Sequence, residues 1–104
     1  MSTWTMRNAE QEARLCPNEL TIPEAPIRYD LPDRCMARVC VVTIGDDARA
    51  NRSEACWIEV RAMISAGRYS GVVRTDLFFA RELRIGVPVE FGAEHVYAVA
   101  GPRP

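Results

Sequence analysis

ACWIEVRAMI, residues 55–64, alternates an apolar set with a more polar one. Cys56, Ile58, Val60, Ala62 and Ile64 share one parity, and Trp57, Glu59, Arg61 and Met63 the other. Successive side chains of a strand point to opposite faces, so this pattern predicts a strand with one face buried and most polar groups in water.

Working outward, the same texture continues on both sides. Upstream, CMARVCVVTI (35–44) is dense in β-branched residues without a breaker, Gly45-Asp46-Asp47 stops it, and the polar stretch to Glu54 reads as a loop. A hairpin centred near Ala50 places Cys40 opposite a position near Val60, too far from Cys56 for a disulfide. Downstream, Ser65-Ala66-Gly67 turns the chain into RYSGVVRT (68–75), with Tyr69, Gly71 and Val73 on one face and Arg68, Ser70, Val72 and Arg74 on the other. DLFFAREL (76–83) fits either a helical turn capped by Asp76 or an irregular crossover. VPVEF (87–91) supplies a fourth strand, placed at an edge because Pro88 has no N–H for a ladder, and HVYAVA (95–100) a fifth.

The first 15 residues are rich in helix formers, which predicts a short helix over residues 5–15 ending at Cys16-Pro17. Pro17, Pro23, Pro26 and Pro32 make residues 16–34 an extended segment without helix, wrapped around the core. A β meander over residues 35–99 and a frayed tail over 100–104 complete the chain. The fold expected is mainly β: a small twisted antiparallel sheet or partly open five-stranded barrel with a short N-terminal helix, all in one domain.

Composition narrows the chemistry. The 104 residues have a net charge of −1, so a nucleic-acid footprint is disfavoured even though Arg61, Arg68 and Arg74 share a region. All 13 basic residues are arginine, which excludes a Schiff-base lysine and a P-loop lysine. No signal-like n-region or h-region opens the chain and no run reaches membrane-spanning length, so a cytoplasmic protein is expected. Cys16, Cys35, Cys40 and Cys56 lack zinc spacing and are read as free thiols.

Several of these residues together carry a resemblance. Trp57-Ile58-Glu59-Val60, Gly67-Arg68-Tyr69-Ser70-Gly71, Thr75-Asp76, Leu83 to Gly86, Val89-Glu90-Phe91-Gly92 and Glu94-His95-Val96 follow one another in order. This run resembles a family of small bacterial domains of unknown function whose members read W-V-x-V, G-x-Y-x-G-x-L-x-N-x-P, L-x-x-G-D-x-V-x-F and E-H-V, over about the last two-thirds of the chain. The chain departs from it at Thr75-Asp76-Leu77, in place of Asn-x-Pro, and at Gly86-Val87, in place of Gly-Asp. Some members look like immunity proteins encoded beside bacterial toxins, and the resemblance implies that role as an expectation.

Read for chemistry, the residues offer little catalysis. The resemblance places His95, the only histidine, beside Glu94 at the entrance of the last strand, where neighbours face opposite ways, so a turn or structural role is expected over acid–base work. Ser65 and Ser70 lack a G-x-S-x-G context. Glu59, Asp76, Glu82, Glu90 and Glu94 lack metal-ligand spacing, and no metal or cofactor is expected. Cys40 and Cys56 sit inside apolar strands, an environment that suppresses thiol reactivity.

Binding is the remaining option. Leu77-Phe78-Phe79, rimmed by Arg74, Asp76, Arg81 and Glu82, reads either as a hot spot with an exposed aromatic anchor or as a plug for the barrel end. The first reading makes the chain a non-enzymatic protein-binding module of immunity type, with a partner protein and no nucleic acid or membrane. The alternative is a ligand-binding or enzymatic pocket near His95, Glu94 and Tyr97.

Overall fold

In the computed structural model, which describes residues 3–45 and 51–101, the alternating stretch lies within the longest strand of a curled, mainly β half-barrel. The elements run β1 (Thr3–Met6), α1 (Ala9–Leu15), α2 (Ala25–Arg28), β2 (Met36–Ile44), β3 (Arg52–Ser65), β4 (Arg68–Val73), β5 (Pro88–Gly92), a 3-10 turn (Ala93–His95) and β6 (Ala98–Ala100). All pairings are antiparallel, in the order β1-β2-β3-β4-β5, with β6 also on β2. Among the described residues β5 pairs only with β4, the edge position expected from Pro88.

The curl follows from the short path between β5 and β6. β6 lies beyond β2, so in a flat sheet the two strands would stand four spacings, about 19 Å, apart. A 3-10 turn rising about 2 Å per residue and three further residues reach about 16 Å at most. The sheet therefore bends, and Val39, Val41, Ile58, Val60, Val73, Phe91 and Val96 close into one core on its concave side.

β1 and β6 share one edge of β2. Met6 pairs with Val41 and Ala98 with Arg38, while Arg7 N–H donates to the Cys40 carbonyl and Tyr97 N–H to the Arg38 carbonyl. Segments from opposite ends of the described chain thus line up as one composite strand.

Four expectations change. Residues 3–6 form a strand, because Trp4 and Met6 pack on the core with period 2; the helix begins only after Asn8, whose side chain accepts the Gln11 N–H at 2.9 Å. The Pro-rich segment contains the helical turn α2, with a proline in its first turn, where a missing N–H costs nothing. Arg52, Ser53 and Glu54 belong to β3 rather than a loop, which moves the register: Cys40 faces Ala55 and Cys56 faces Val39. Cys40 and Cys56 then project from opposite faces, and all four cysteines are free. Residues 46–50, where the hairpin centre was expected, lie outside the described residues.

The fourth change concerns Ala62 and Ile64, expected inside and found exposed. Register shifts between Val60 and Ala62 and between Met63 and Ser65 insert extra residues in β3, and each one-residue slip turns the side chains over. Before the bulge the alternation holds, with Cys56, Ile58 and Val60 buried. In β4 it holds throughout: Tyr69, Gly71 and Val73 face inward.

Gly71 marks where strand packing is closest. A Cβ there would meet the Glu59 carbonyl oxygen at 2.5 Å and Ile58 Cγ2 at 2.6 Å, and a backbone oxygen cannot swing aside. Gly71→Ala is expected to cost about 1–3 kcal/mol by overpacking, read as a lower denaturation midpoint at unchanged m-value.

One polar assembly fixes the proline-rich segment to the barrel. The buried Arg28 donates through Nε to the Pro23 carbonyl (2.7 Å) and through Nη1 to Glu10 Oε2 (2.5 Å) and the Ala93 carbonyl (3.0 Å). Tyr69, stacked on Phe91 with ring centroids 5.4 Å apart, donates its hydroxyl hydrogen to the Arg28 carbonyl at 2.7 Å and accepts the Leu31 N–H at 3.2 Å. Arg28 thereby joins α1, the segment before α2 and the 3-10 turn.

Candidate binding loop

The connection between β4 and β5 is an irregular loop between adjacent antiparallel strands, neither a capped helix nor a crossover. Its ends are fastened to strands: Arg74 N–H donates to the Trp57 carbonyl (2.8 Å), Trp57 N–H to Thr75 Oγ1 (2.8 Å), and Gly86 N–H to the Val73 carbonyl (2.8 Å). Its middle is held by one side chain. The Glu54 carboxylate accepts the backbone N–H groups of Phe78 (2.5 Å), Phe79 (3.1 Å to each oxygen) and Ala80 (3.0 Å). Charge-assisted bonds of this kind are about twice as strong as neutral ones, and three consecutive donors on one carboxylate fix the local backbone.

Burial divides the clamped segment into two sets. Ala80 and Leu83 are buried, and Leu77 packs partly buried against the core, so these residues close the barrel end. Phe78 and Phe79 point outward, with 69% and 40% of their surface exposed, edge to face at 5.0 Å. The Arg81 guanidinium lies 5.9 Å from the Phe78 ring centre and that of Arg52 lies 5.8 Å from Phe79. Beside them Asp76, Phe78, Arg81, Arg84 and Ile85 border a cleft of about 600 Å³, and Ile85 is itself half exposed.

All six residues expected at an interface, Arg74, Asp76, Phe78, Phe79, Arg81 and Glu82, lie in this connection, and of these Asp76, Phe78 and Arg81 border the cleft. Arg74 turns instead to β3, donating to Glu59 Oε1 through Nε (2.9 Å) and Nη2 (2.6 Å). Those hydrogen bonds hold the Glu59 carboxyl below its ordinary range, against a smaller opposing effect of desolvation. Glu54, Arg52, Arg84 and Ile85 were not expected here. Glu54 carried no local signal, because its partners lie more than twenty residues away in sequence.

The residues of the alternative pocket take different partners. Glu94 and His95 sit in the 3-10 turn, not in a strand, so their side chains approach, with Nε2 and Oε1 3.6 Å apart; the expectation of opposite faces fails because a turn lacks strand alternation. His95 Nδ1 accepts the Gly92 N–H at 2.9 Å. Burial lowers the affinity of this imidazole for a proton, the nearby Glu94 raises it, and Arg68 lowers it. Tyr97 belongs elsewhere: it donates to the Glu12 carboxylate and lines a smaller cleft of about 230 Å³ with Arg7, Arg38 and Cys40. Burial, then the Glu12 contact, pushes the Tyr97 phenol well above its usual range.

The remaining candidates are equally committed. Arg61 lies 3.5 Å from Glu59 and Arg68 3.6 Å from Glu94, so the arginines considered for nucleic acid face carboxylates. Burial pushes the Cys56 thiol up to about 11 and raises that of Cys35, which keeps both protonated and unreactive. Among the described residues no cluster of His, Cys, Asp or Glu could hold a metal, and no helix is long and apolar enough to cross a membrane. Comparison with protein-family models, with curated proteins and with solved structures gives no match to this chain.

Proposed function

We propose that this chain is a non-enzymatic protein-binding module that engages its partner through the loop around Phe78 and Phe79. The observation that carries the reading is the presentation of these two rings to solvent on a backbone clamped by Glu54. Large aromatics cost stability when left in water, and a pre-ordered loop avoids the entropy of ordering at the moment of binding. Flanking guanidiniums complete the usual make-up of a hot spot, an aromatic anchor with arginine at its rim. Following the resemblance to small bacterial domains that include immunity-type proteins, its role is to neutralise a bacterial toxin or effector in the cytoplasm by covering the working surface of that protein.

Coexpression with the products of neighbouring open reading frames, followed by calorimetry, tests this. A single protein bound one to one is expected, with Arg81→Ala weakening the complex about tenfold and His95→Ala leaving it unchanged. Full affinity in Arg81→Ala together with loss in His95→Ala would move the site to the other end of β5 and end this assignment.

A further inference from the structure

The outward edge of β5 is closed by one imidazole. Val73 N–H donates to the Val87 carbonyl and Ala93 N–H to the Gly67 carbonyl, so the carbonyl of residue 87 and the N–H of residue 93 point toward β4. The two-residue alternation of an antiparallel ladder assigns Val89 and Phe91 the same direction and turns Pro88, Glu90 and Gly92 away from the sheet. Of those three, Pro88 has no N–H to offer, and the Gly92 N–H is taken by His95 Nδ1 at 2.9 Å. The Glu94 carboxylate lies over Gly92, where a Cβ would collide with it. Glu90 retains the one outward N–H not closed in either way.

We propose that His95 is a proton-operated guard of this edge: the neutral imidazole keeps the chain monomeric, and protonation frees Gly92 so that β5 pairs antiparallel with β5 of a second copy. The second copy is the occupant because the edge is self-complementary in one register. With Glu90 on the two-fold axis, the two Glu90 residues exchange a pair of N–H to carbonyl bonds, and each Gly92 N–H meets the partner's Pro88 carbonyl. Guarded, the edge offers only the Glu90 pair; released, it offers twice as many bonds. The opposed Glu90 carboxylates repel each other, which supports the monomer further.

The chemistry of the switch lies in the donor count of the ring. Neutral His95 accepts at Nδ1; the imidazolium has a hydrogen there and faces the Gly92 N–H as a second donor, so the contact breaks. The charged groups around the turn are Glu94 on it, Arg68 from β4 and the Arg28–Glu10 pair from α2 and α1, with the Tyr29 phenol at the end of α2. Glu94 receives the imidazolium, and Arg68 and burial oppose it. With the folded-state proton affinity lowered, the guard is fully in place above the ordinary imidazole value of 6.5 and is lost as pH falls through the lower folded value.

Sedimentation velocity on the intact chain, on each side of that transition, tests the proposal. Wild type is expected to be a monomer at neutral pH and to double in mass in acid. His95→Asn, whose amide oxygen stands where Nδ1 stood and accepts at every pH, is expected to remain a monomer in both; His95→Ala is expected to dimerise in both. Adding Glu90→Pro to His95→Ala removes the central pair of bonds, returns the edge to the guarded number and is expected to restore the monomer, with circular dichroism checking that each variant is folded. Should His95→Asn fail to fold, the guard is followed in wild type by the NMR shift of the Gly92 amide, expected to move with His95 titration. An acid dimer in His95→Asn equal to wild type, a dimer that survives Glu90→Pro, or a Gly92 amide insensitive to that titration would overturn it.

Discussion

Arg28→Ala is expected to lower the unfolding free energy by about 3 kcal/mol, the low end for breaking a buried ion pair, because Glu10 keeps a quarter of its side-chain surface in water and rehydrates. The loss is larger than one ion pair suggests. Arg28 also satisfies the Pro23 and Ala93 carbonyls, and removing a donor strands each acceptor at a desolvation cost. Arg28→Lys is expected to recover little, since a single ammonium cannot reproduce the planar spread of donors to three segments. Chemical denaturation checks both. The same contact sets an acid limb: the Arg28 hydrogen bond, against desolvation and together with the charge of Arg28, holds the Glu10 carboxyl below its ordinary 4.5. Its contribution is in place above that value and vanishes as pH falls through the lower folded one, so Arg28→Ala should flatten the fall of stability in acid. Unchanged stability and an unchanged acid limb would remove Arg28 from the architecture.

Phe78→Ala is expected to weaken partner binding about 30-fold, close to 2 kcal/mol, while shifting stability by less than about 0.5 kcal/mol, because the ring is mostly in solvent before binding. Glu54→Ala is the more searching variant. It removes no exposed ring, yet leaves the Phe78, Phe79 and Ala80 N–H groups without their acceptor, so the rings lose their fixed presentation. A further tenfold loss of affinity, carried by the entropy of ordering the loop, is the expected result, with Glu54→Gln intermediate because one amide oxygen replaces two. Calorimetry separates the cases: Phe78→Ala should reduce the heat-capacity change of binding, Glu54→Ala the favourable entropy. Equal affinity of wild type and Glu54→Ala would mean that the clamp serves the fold alone.

Much of the sheet was readable because its signals are local. The alternation of β4, the edge position of Pro88 and the inward set Cys56, Ile58 and Val60 depend only on neighbours in sequence. What escaped depends on distant partners. The bulge in β3 sits where an alternating sequence continues without interruption, so nothing in Ala62 or Ile64 marks the slip. Arg52 to Glu54 look like a loop until β2 pairs with them. The aromatic pair was visible, but the direction of its rings was not, because the carboxylate that holds their backbone comes from β3.

The composite strand on β2 has a kinetic consequence. Hairpins such as β2–β3 and β3–β4 close short loops and can form early, whereas Thr3–Met6 and Ala98–Ala100 each bring a remote segment to the same edge. Both dockings are expected to follow a barrier set by the hairpins, so weakening either one should accelerate unfolding and leave the refolding rate nearly untouched. The lifetime of the native state, more than the speed of reaching it, is then written in the two shortest strands of the sheet.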